Sequence, residues 1–301
     1  MEFLKNQETA EKIEKFTNKK LSSLKINKIL ANYYRTKEFK PRKADSILNC
    51  SSYLLFRNYL DSNRTRKLVA ANFCKHPLCL MCAWRLHLKR VFELQQGIEL
   101  LKRQEPDMKF YFLNLTVKNW STIDKAKLRD LQAKAVKFIR KFLGVKDYYC
   151  SLEITISKVN RELPYHPHIH SILGTTEALG TTLQDINKLR QIWCKVYGET
   201  EHDFLEMTLY PIRENSTNEV TKYILKPEQK ISEKEVIDIA IAITGLKKTF
   251  SAGKLRRGIQ DASEGIKTQN GLFMTKIELY GFFDEFYRWV DNKYLIKTLD
   301  E

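Results

Sequence analysis

The segment Tyr165-His166-Pro167-His168-Ile169-His170 constrains this chain most, because three of its six histidines alternate within it. Side chains along a β-strand repeat every second residue on one face. A strand here therefore aims three imidazoles one way and sends Ile169 into the opposite layer. Neutral imidazole is the commonest metal ligand among side chains, so a close His pair on one strand is half of a divalent-metal site. The pair expected to ligate is His168 and His170; His166, at the strand's start, is assigned no metal role. Glu153 is the one acid in the apolar run 148–157, YYCSLEITIS. If 148–157 and 165–173 form a hairpin around Asn160-Arg161, its carboxylate reaches the face of His168 and His170. A mixed nitrogen and oxygen set with vacant positions suits Mg²⁺ or Mn²⁺ when phosphate oxygens and water complete the shell. Glu153 also fits a simpler description, an exposed acid at a sheet edge.

Other elements surround these two strands. Residues 109–117, KFYFLNLTV, are aromatic and β-branched and read as a strand, and 204–212 as another. Asp124 caps a helix whose apolar stripe is Leu128, Leu131, Ala135, Ile139 and Phe142, with Gly144 beyond its end. Thr182 and Asp185 open a helix that Gly198 stops, and Ser232 opens one that Gly245 stops. Residues 21–34 and 84–103 are also helical in pattern, with the first twenty residues loose. The basic run 246–258 reads as a loop. In the tail 276–295, Leu279, Phe282, Phe283, Phe286 and Val290 form a helix-like stripe. Strands and helices alternate irregularly, with hairpin adjacency. The fold class is α+β: a central antiparallel sheet with helices on one face and the other face free for a site.

The charge points to the partner. The chain of 301 residues carries a formal net charge of +16, and a chain that basic suits a polyanion, above all nucleic acid. Residues 1–103 hold 22 Lys/Arg against 9 Asp/Glu, a net of +13; residues 104–301 hold 30 against 27, a net of +3. The N-terminal third is thus the better phosphate-contacting part. No stretch approaches the roughly 20 apolar residues that span a bilayer, and residues 1–16 lack the apolar core of a signal peptide. A cytoplasmic protein with no membrane partner is expected, in which cysteines stay reduced.

Four of the six cysteines fall in 49–83. Cys74-x4-Cys79-x2-Cys82, with Cys50 upstream, supplies four thiolates for a tetrahedral structural Zn²⁺. His76 or His87 could stand in for Cys50. Such a metal would supply folding free energy to a segment too short for a core of its own. Lys75, Arg85, Lys89 and Arg90 around the cluster are candidate DNA contacts. Cys150 and Cys194 lie in apolar patterns and belong to the core.

Residues 216–226, STNEVTKYILK, read as a short helix. Glu219 and Tyr223 are four apart and share a face, with Lys226 three residues further. A phenol is a poor nucleophile at its free pKa of about 10; a neighbouring cation favours the phenolate, and a carboxylate can take a proton. Ser216-x-x-Glu219 is equally a capping box, and Tyr223 an ordinary half-buried aromatic.

In chain order stand the cysteine cluster, FLNLT (112–116), LEIT (152–155), HPHIHSIL (166–173) and EVTKYILK (219–226). This order resembles the rolling-circle replication initiators of small Gram-positive plasmids, within the HUH endonucleases, over roughly residues 49–258. The resemblance implies a five-stranded antiparallel sheet with the histidine strand at its centre. It also implies a catalytic divalent metal on His168 and His170, with Glu153 less fixed, and Tyr223 as the nucleophile. Glu219 would activate water for a terminating cleavage, and Lys222 and Lys226 match the family's basic positions beside the tyrosine. The implied activity is nicking and joining of plasmid origin DNA through a 5′-phosphotyrosyl intermediate, with host helicase and polymerase as partners. Four segments are expected: a basic, partly flexible N-terminal helical segment (1–48), a zinc-binding segment (49–90), the HUH nicking-closing domain (91–258) and a helical C-terminal segment (259–301). Three rival functions remain at this level: an HUH-type transposase, a non-catalytic zinc-containing DNA-binding regulator, and a metal-dependent phosphodiesterase that uses water from the start.

Overall fold

A computed structural model describes residues 2–60, 66–157, 159–199, 205–221, 231–264 and 282–297. In chain order the elements are α1 (Glu2–Thr36), α2 (Pro41–Leu48), β1 (Tyr53–Tyr59), β2 (Arg66–Ala71), α3 (Leu80–Gln104), β3 (Lys109–Thr116) and α4 (Lys125–Lys137). There follow β4 (Asp147–Ile156), β5 (Tyr165–Thr175), α5 (Leu183–Tyr197), β6 (Met207–Pro211), α6 (Ser216–Val220), α7 (Glu233–Ala242), β7 (Thr249–Ala252), α8 (253–264), β8 (Phe282–Val290) and β9 (Lys293–Lys297). The chain forms two compact units, one of residues 87–264 and one joining 1–86 to 265–301.

The 87–264 unit is built on a five-stranded antiparallel sheet of order β6-β3-β5-β4-β7, so β5 lies at its centre as the resemblance implied. The fold class is α+β, as expected. Cross-strand pairs sort the sheet into two faces. One carries Leu113, Leu115, Leu152, Ile154, Ile169 and Leu173, all fully buried. On this side the Trp193 indole of α5 donates to the Thr116 carbonyl at 2.8 Å, and the Tyr165 hydroxyl donates to Asp238 of α7 at 2.6 Å. Each fully buried Leu or Ile contributes about 1.5–3 kcal/mol. The other face is apolar at one end only, where Phe110, Phe112, Tyr149 and Ile172 pack with Leu94, Ile98 and Leu101 of α3 and Leu255 of α8. Helices thus cover both faces, and what stays polar on the second is the stretch around His168 and His170.

The helix boundaries follow local chemistry. The Asp124 carboxylate accepts from Lys127 N at 2.9 Å, and Thr182 with Asp185 makes a reciprocal capping box on α5. Gly198 ends α5 at φ +97°, a conformation that costs glycine nothing. A π-helical turn over Phe138–Phe142 extends α4 and breaks its stripe: Phe138 and Ile139 are buried, whereas Phe142 is 39% exposed.

In the other unit, β2-β1-β8-β9 form a four-stranded antiparallel sheet that joins the two ends of the chain. This corrects three expectations. The tail is not helical at 282–297 but a hairpin, because Asp291 and Asn292 take φ +46° and +64°, the left-handed pair of a two-residue type I′ turn. The N-terminal helix is not confined to 21–34 but runs as α1 over Glu2–Thr36. In the 87–264 unit, 246–258 is not a loop: it contains β7 and the start of α8, where the Asp147 carboxylate accepts from Lys254 N.

Gly97 sits where α3 meets α8, and a Cβ there would lie 2.9 Å from both Cγ1 and N of Ile259. Alanine is the better helix former by about 1 kcal/mol, yet Gly97→Ala is expected to lose about 1–3 kcal/mol through overpacking. Urea unfolding measures it, and a gain in stability would refute the close approach.

Candidate active site and metal centres

The β4–β5 register sets Glu153 directly opposite His168. Its Oε2 lies 2.9 Å from His168 Nε2 and 2.7 Å from His170 Nε2. The three residues are 2%, 7% and 8% exposed, so Glu153 is no edge acid. Burial alone would raise the Glu153 carboxyl, but the hydrogen bonds from His168 and His170 overcome it and hold the group well below the usual carboxylate range. Burial pushes His170 below its ordinary value against the pull of Glu153; that keeps the imidazole neutral near pH 7, the form that ligates.

The donor set fits a divalent cation. Two imidazole nitrogens and a carboxylate oxygen lie within 4.8 Å of one another, three ligands that leave positions for substrate oxygens and water. Asn114 stands opposite His170 in β3, and its buried Oδ1 and the buried Nδ1 of His170 both lack a hydrogen-bond partner. A ligand on Nε2 leaves the ring proton on Nδ1, and Asn114 is then the acceptor at hand. Sequence reasoning passed over Asn114 because its meaning depends on the β3–β5 register. His166 stands apart, its Nδ1 2.7 Å from Asn119 Oδ1.

Beside this triad lies α6. The Ser151 hydroxyl, opposite His170, donates to the Val220 carbonyl, and Val220 enters the core with Phe112 and Ile172. His87 Nδ1 lies 3.0 Å from the carbonyl of Thr221, which fastens the end of α6 to α3. The Glu219 charge of α6 pulls the His170 pKa upward, the smallest of several influences, against the larger effect of burial. The capping box is absent: Asn215 is the N-cap and makes no side-chain cap, while the Ser216 hydroxyl accepts from Arg213 N at 2.8 Å. Lys222, Tyr223 and Lys226 lie outside the described residues.

Cys50, Cys74, Cys79 and Cys82 form the second cluster. Their Sγ atoms lie 3.5 Å (Cys50–Cys82), 3.6 Å (Cys74–Cys82) and 3.6 Å (Cys50–Cys79) apart. A disulfide needs about 2.05 Å; a zinc tetrahedron with bonds of about 2.3 Å has edges of about 3.8 Å. The cluster therefore has the proportions of a metal tetrathiolate. Neither histidine replaces Cys50: His76 Nδ1 accepts from Leu78 N at 3.2 Å with Nε2 at 3.3 Å from the Tyr34 hydroxyl, and His87 is engaged at Thr221. Lys20 is 2% exposed and donates to the Cys50 carbonyl. A buried ammonium needs a counter-charge, and four thiolates around a dication provide one.

The four candidate DNA contacts differ in surroundings. Lys75 is exposed at φ +57°, and Lys89 is exposed and pairs with Glu93 at 3.6 Å. Arg85 is half-buried with its guanidinium 4.5 Å over the Phe73 ring, which commits it to packing. Arg90 is half-buried; its charge, after burial itself, helps push Lys248 down to about 8.

The model of the Replication protein family, Rep_1, matches residues 65–276. The chain belongs to this family. The match bears out the resemblance carried by the motifs, and it includes every residue of the Glu/His triad. This replication protein is 24% identical over 266 residues to "Protein rep" of Streptococcus pneumoniae serotype 2, across 84% of the chain and 81% of that relative. It is 27% identical over 216 residues to "Protein rep" of Staphylococcus aureus, across 69% of the chain and 89% of that relative. With "Protein rep" of a Bacillus species the identity is 32% over 154 residues, across 49% of the chain and 46% of that relative. The chain thus spans about half of the Bacillus relative's length in that match. No solved structure matches it. Among the described residues of the replication protein, no helix is long and apolar enough to cross a membrane.

Two outcomes test the centres separately. Loaded with Co²⁺, the replication protein is expected to show thiolate-to-cobalt charge-transfer absorption, and Cys82→Ser to lose it together with about 4 kcal/mol or more of stability. Glu153→Gln is expected to weaken Mn²⁺ binding by roughly 10- to 100-fold in calorimetry while leaving the cobalt band intact.

Proposed function

We propose that this protein initiates plasmid rolling-circle replication as a metal-dependent, site-specific endonuclease and strand transferase acting on origin DNA. The observation that supports this best is the convergence of Glu153, His168 and His170 at the centre of the sheet, with α6 docked beside them, in a chain of the Rep_1 family. The activity of the whole protein, its origin substrate and its helicase and polymerase partners belong to this proposal, as does work in the cytoplasm.

Glu153, His168 and His170 would hold Mg²⁺ or Mn²⁺, which supplies Lewis-acid polarisation of a phosphate. The chain runs on from Thr221 into Lys222 and Tyr223, and Lys222 and Lys226 place positive charge near the phenol in sequence. That charge favours the phenolate. The Tyr223 oxygen bonds to the scissile phosphorus, and the bond from phosphorus to the 3′ oxygen breaks. The departing strand takes up a proton as a 3′-OH that a polymerase can extend, and the 5′-phosphate stays on the tyrosine. One phosphodiester replaces another, so the strand can be rejoined. Glu219 of α6 accepts a proton from water in the terminating cleavage, so a single tyrosine suffices. Zn²⁺ on the four cysteines would have a structural role, and Lys75, Lys89 and Arg90 are the candidate phosphate contacts, Arg85 being taken up by its stack on Phe73.

Nicking of supercoiled origin DNA with Mn²⁺ tests the scheme. Tyr223→Phe is expected to abolish both the nick and the covalent DNA–protein adduct, and Glu219→Ala to keep the first cleavage with faulty termination. An adduct on the Phe variant, located by mass spectrometry, would remove Tyr223 from the role.

A further inference from the structure

The β2-β1-β8-β9 sheet has two unlike faces. Leu54, Phe56 and Tyr287 point inward and pack with Phe16, Cys50 and Cys79, so the cysteine cluster backs the sheet. Alternation and register place Tyr53, Leu55, Arg57, Phe286, Arg288, Leu295 and Lys297 on the outer face. Tyr53 and Phe286 stack there with centroids 5.6 Å apart and planes at 18°. Arg288, Lys293 and Lys297 are exposed around the pair, and Leu295 is 42% exposed beside it. Lys67 pairs in register with Arg57 on the same face. Acids are few among the described strand residues here. Asp284 is held by Arg57 through two contacts of 2.8 Å, and Asp291 lies in the β8–β9 turn. The far end of the face is closed, since Tyr59 is 2% exposed. What remains is a small, half-buried aromatic pair rimmed by exposed cations.

We infer that this outer face is a binding platform for single-stranded DNA, with bases stacking on Tyr53 and Phe286 and phosphates meeting Arg288, Lys293 and Lys297. It rests on the reading of the chain as a DNA-processing protein. Charge complementarity selects a polyanion. The aromatic pair selects one with unstacked bases, because a paired base in a duplex hides its ring faces.

Fluorescence anisotropy with the full-length chain, without added Mn²⁺ so that no strand is cut, tests the platform apart from the chemistry. The probe is a labelled single-stranded origin oligonucleotide, with its duplex as comparison. Tyr53→Ala with Phe286→Ala is expected to weaken single-strand binding about 10-fold, with Tyr53→Trp retaining affinity and circular dichroism unchanged. Arg288→Glu with Lys297→Glu is expected to weaken it similarly and to lower the logarithmic salt slope by about 1.4. Unchanged affinity in both double variants overturns the inference, as does duplex binding that is tighter than single-strand binding. Loss of a concentration-dependent dimer in the variants, seen by sedimentation with DNA binding intact, also overturns it and assigns the face to a second copy. Failure of the Tyr223 scheme would leave these affinities unchanged, so the two readings fail separately.

Discussion

The register between β4 and β5 is the constraint on which the rest depends. With Glu153 opposite His168 and Ser151 opposite His170, a carboxylate and two imidazoles meet on one face while Leu152, Ile154 and Ile169 fill the other. A slip of one residue would send Ile169 to the polar face and both histidines into the core. The apolar layer beneath thus enforces the polar site above, and hydrogen bonds among Glu153, His168 and His170 offset part of the cost of burying them. The same register places Ser151 to hold the end of α6 and Asn114 to face His170.

The cysteine cluster does for its unit what the hydrophobic layer does for the sheet of β5. Its sulfurs come from three separate places: Cys50 after α2, Cys74 after β2, and the Cys79–Cys82 pair at the start of α3. Backbone amides of Cys74 and His76 point at Cys50 and Cys74 sulfurs at 3.4 Å, so the turns are shaped around the sulfurs. The sheet above then closes on it through Tyr287 and Tyr294, whose hydroxyl donates to the Ser51 carbonyl at 2.7 Å.

Much was legible from local pattern. The caps at Asp124, Thr182 and Ser232 and the stops at Gly144, Gly198 and Gly245 act within a few residues of themselves, so their spacing is enough to locate helices. The hairpin of β4 and β5 joins neighbours in sequence and was equally readable. Missed were the elements whose partners are distant. β1 and β8 are separated by more than 200 positions in the chain, and Arg57 meets Asp284 across 227. The aromatic spacing of the tail suited a helix as well as a strand, and the Asp291-Asn292 turn was the overlooked cue.

By itself, the sequence determined which residues could do chemistry: the alternating histidines, the lone acid in an apolar strand, the four clustered cysteines and the ordered motifs of a replication protein. Periodicity and spacing are local, so they settle which side chains share a strand face or a turn. Only the tertiary structure decided which of these meet. It chose Cys50 over His76 and His87, took Arg85 into a stack on Phe73, set Asn215 in place of Ser216 at the start of α6, and closed a sheet from the two ends of the chain. Each of those choices depends on strand register and on packing between distant segments, and neither is written in the neighbourhood of any one residue.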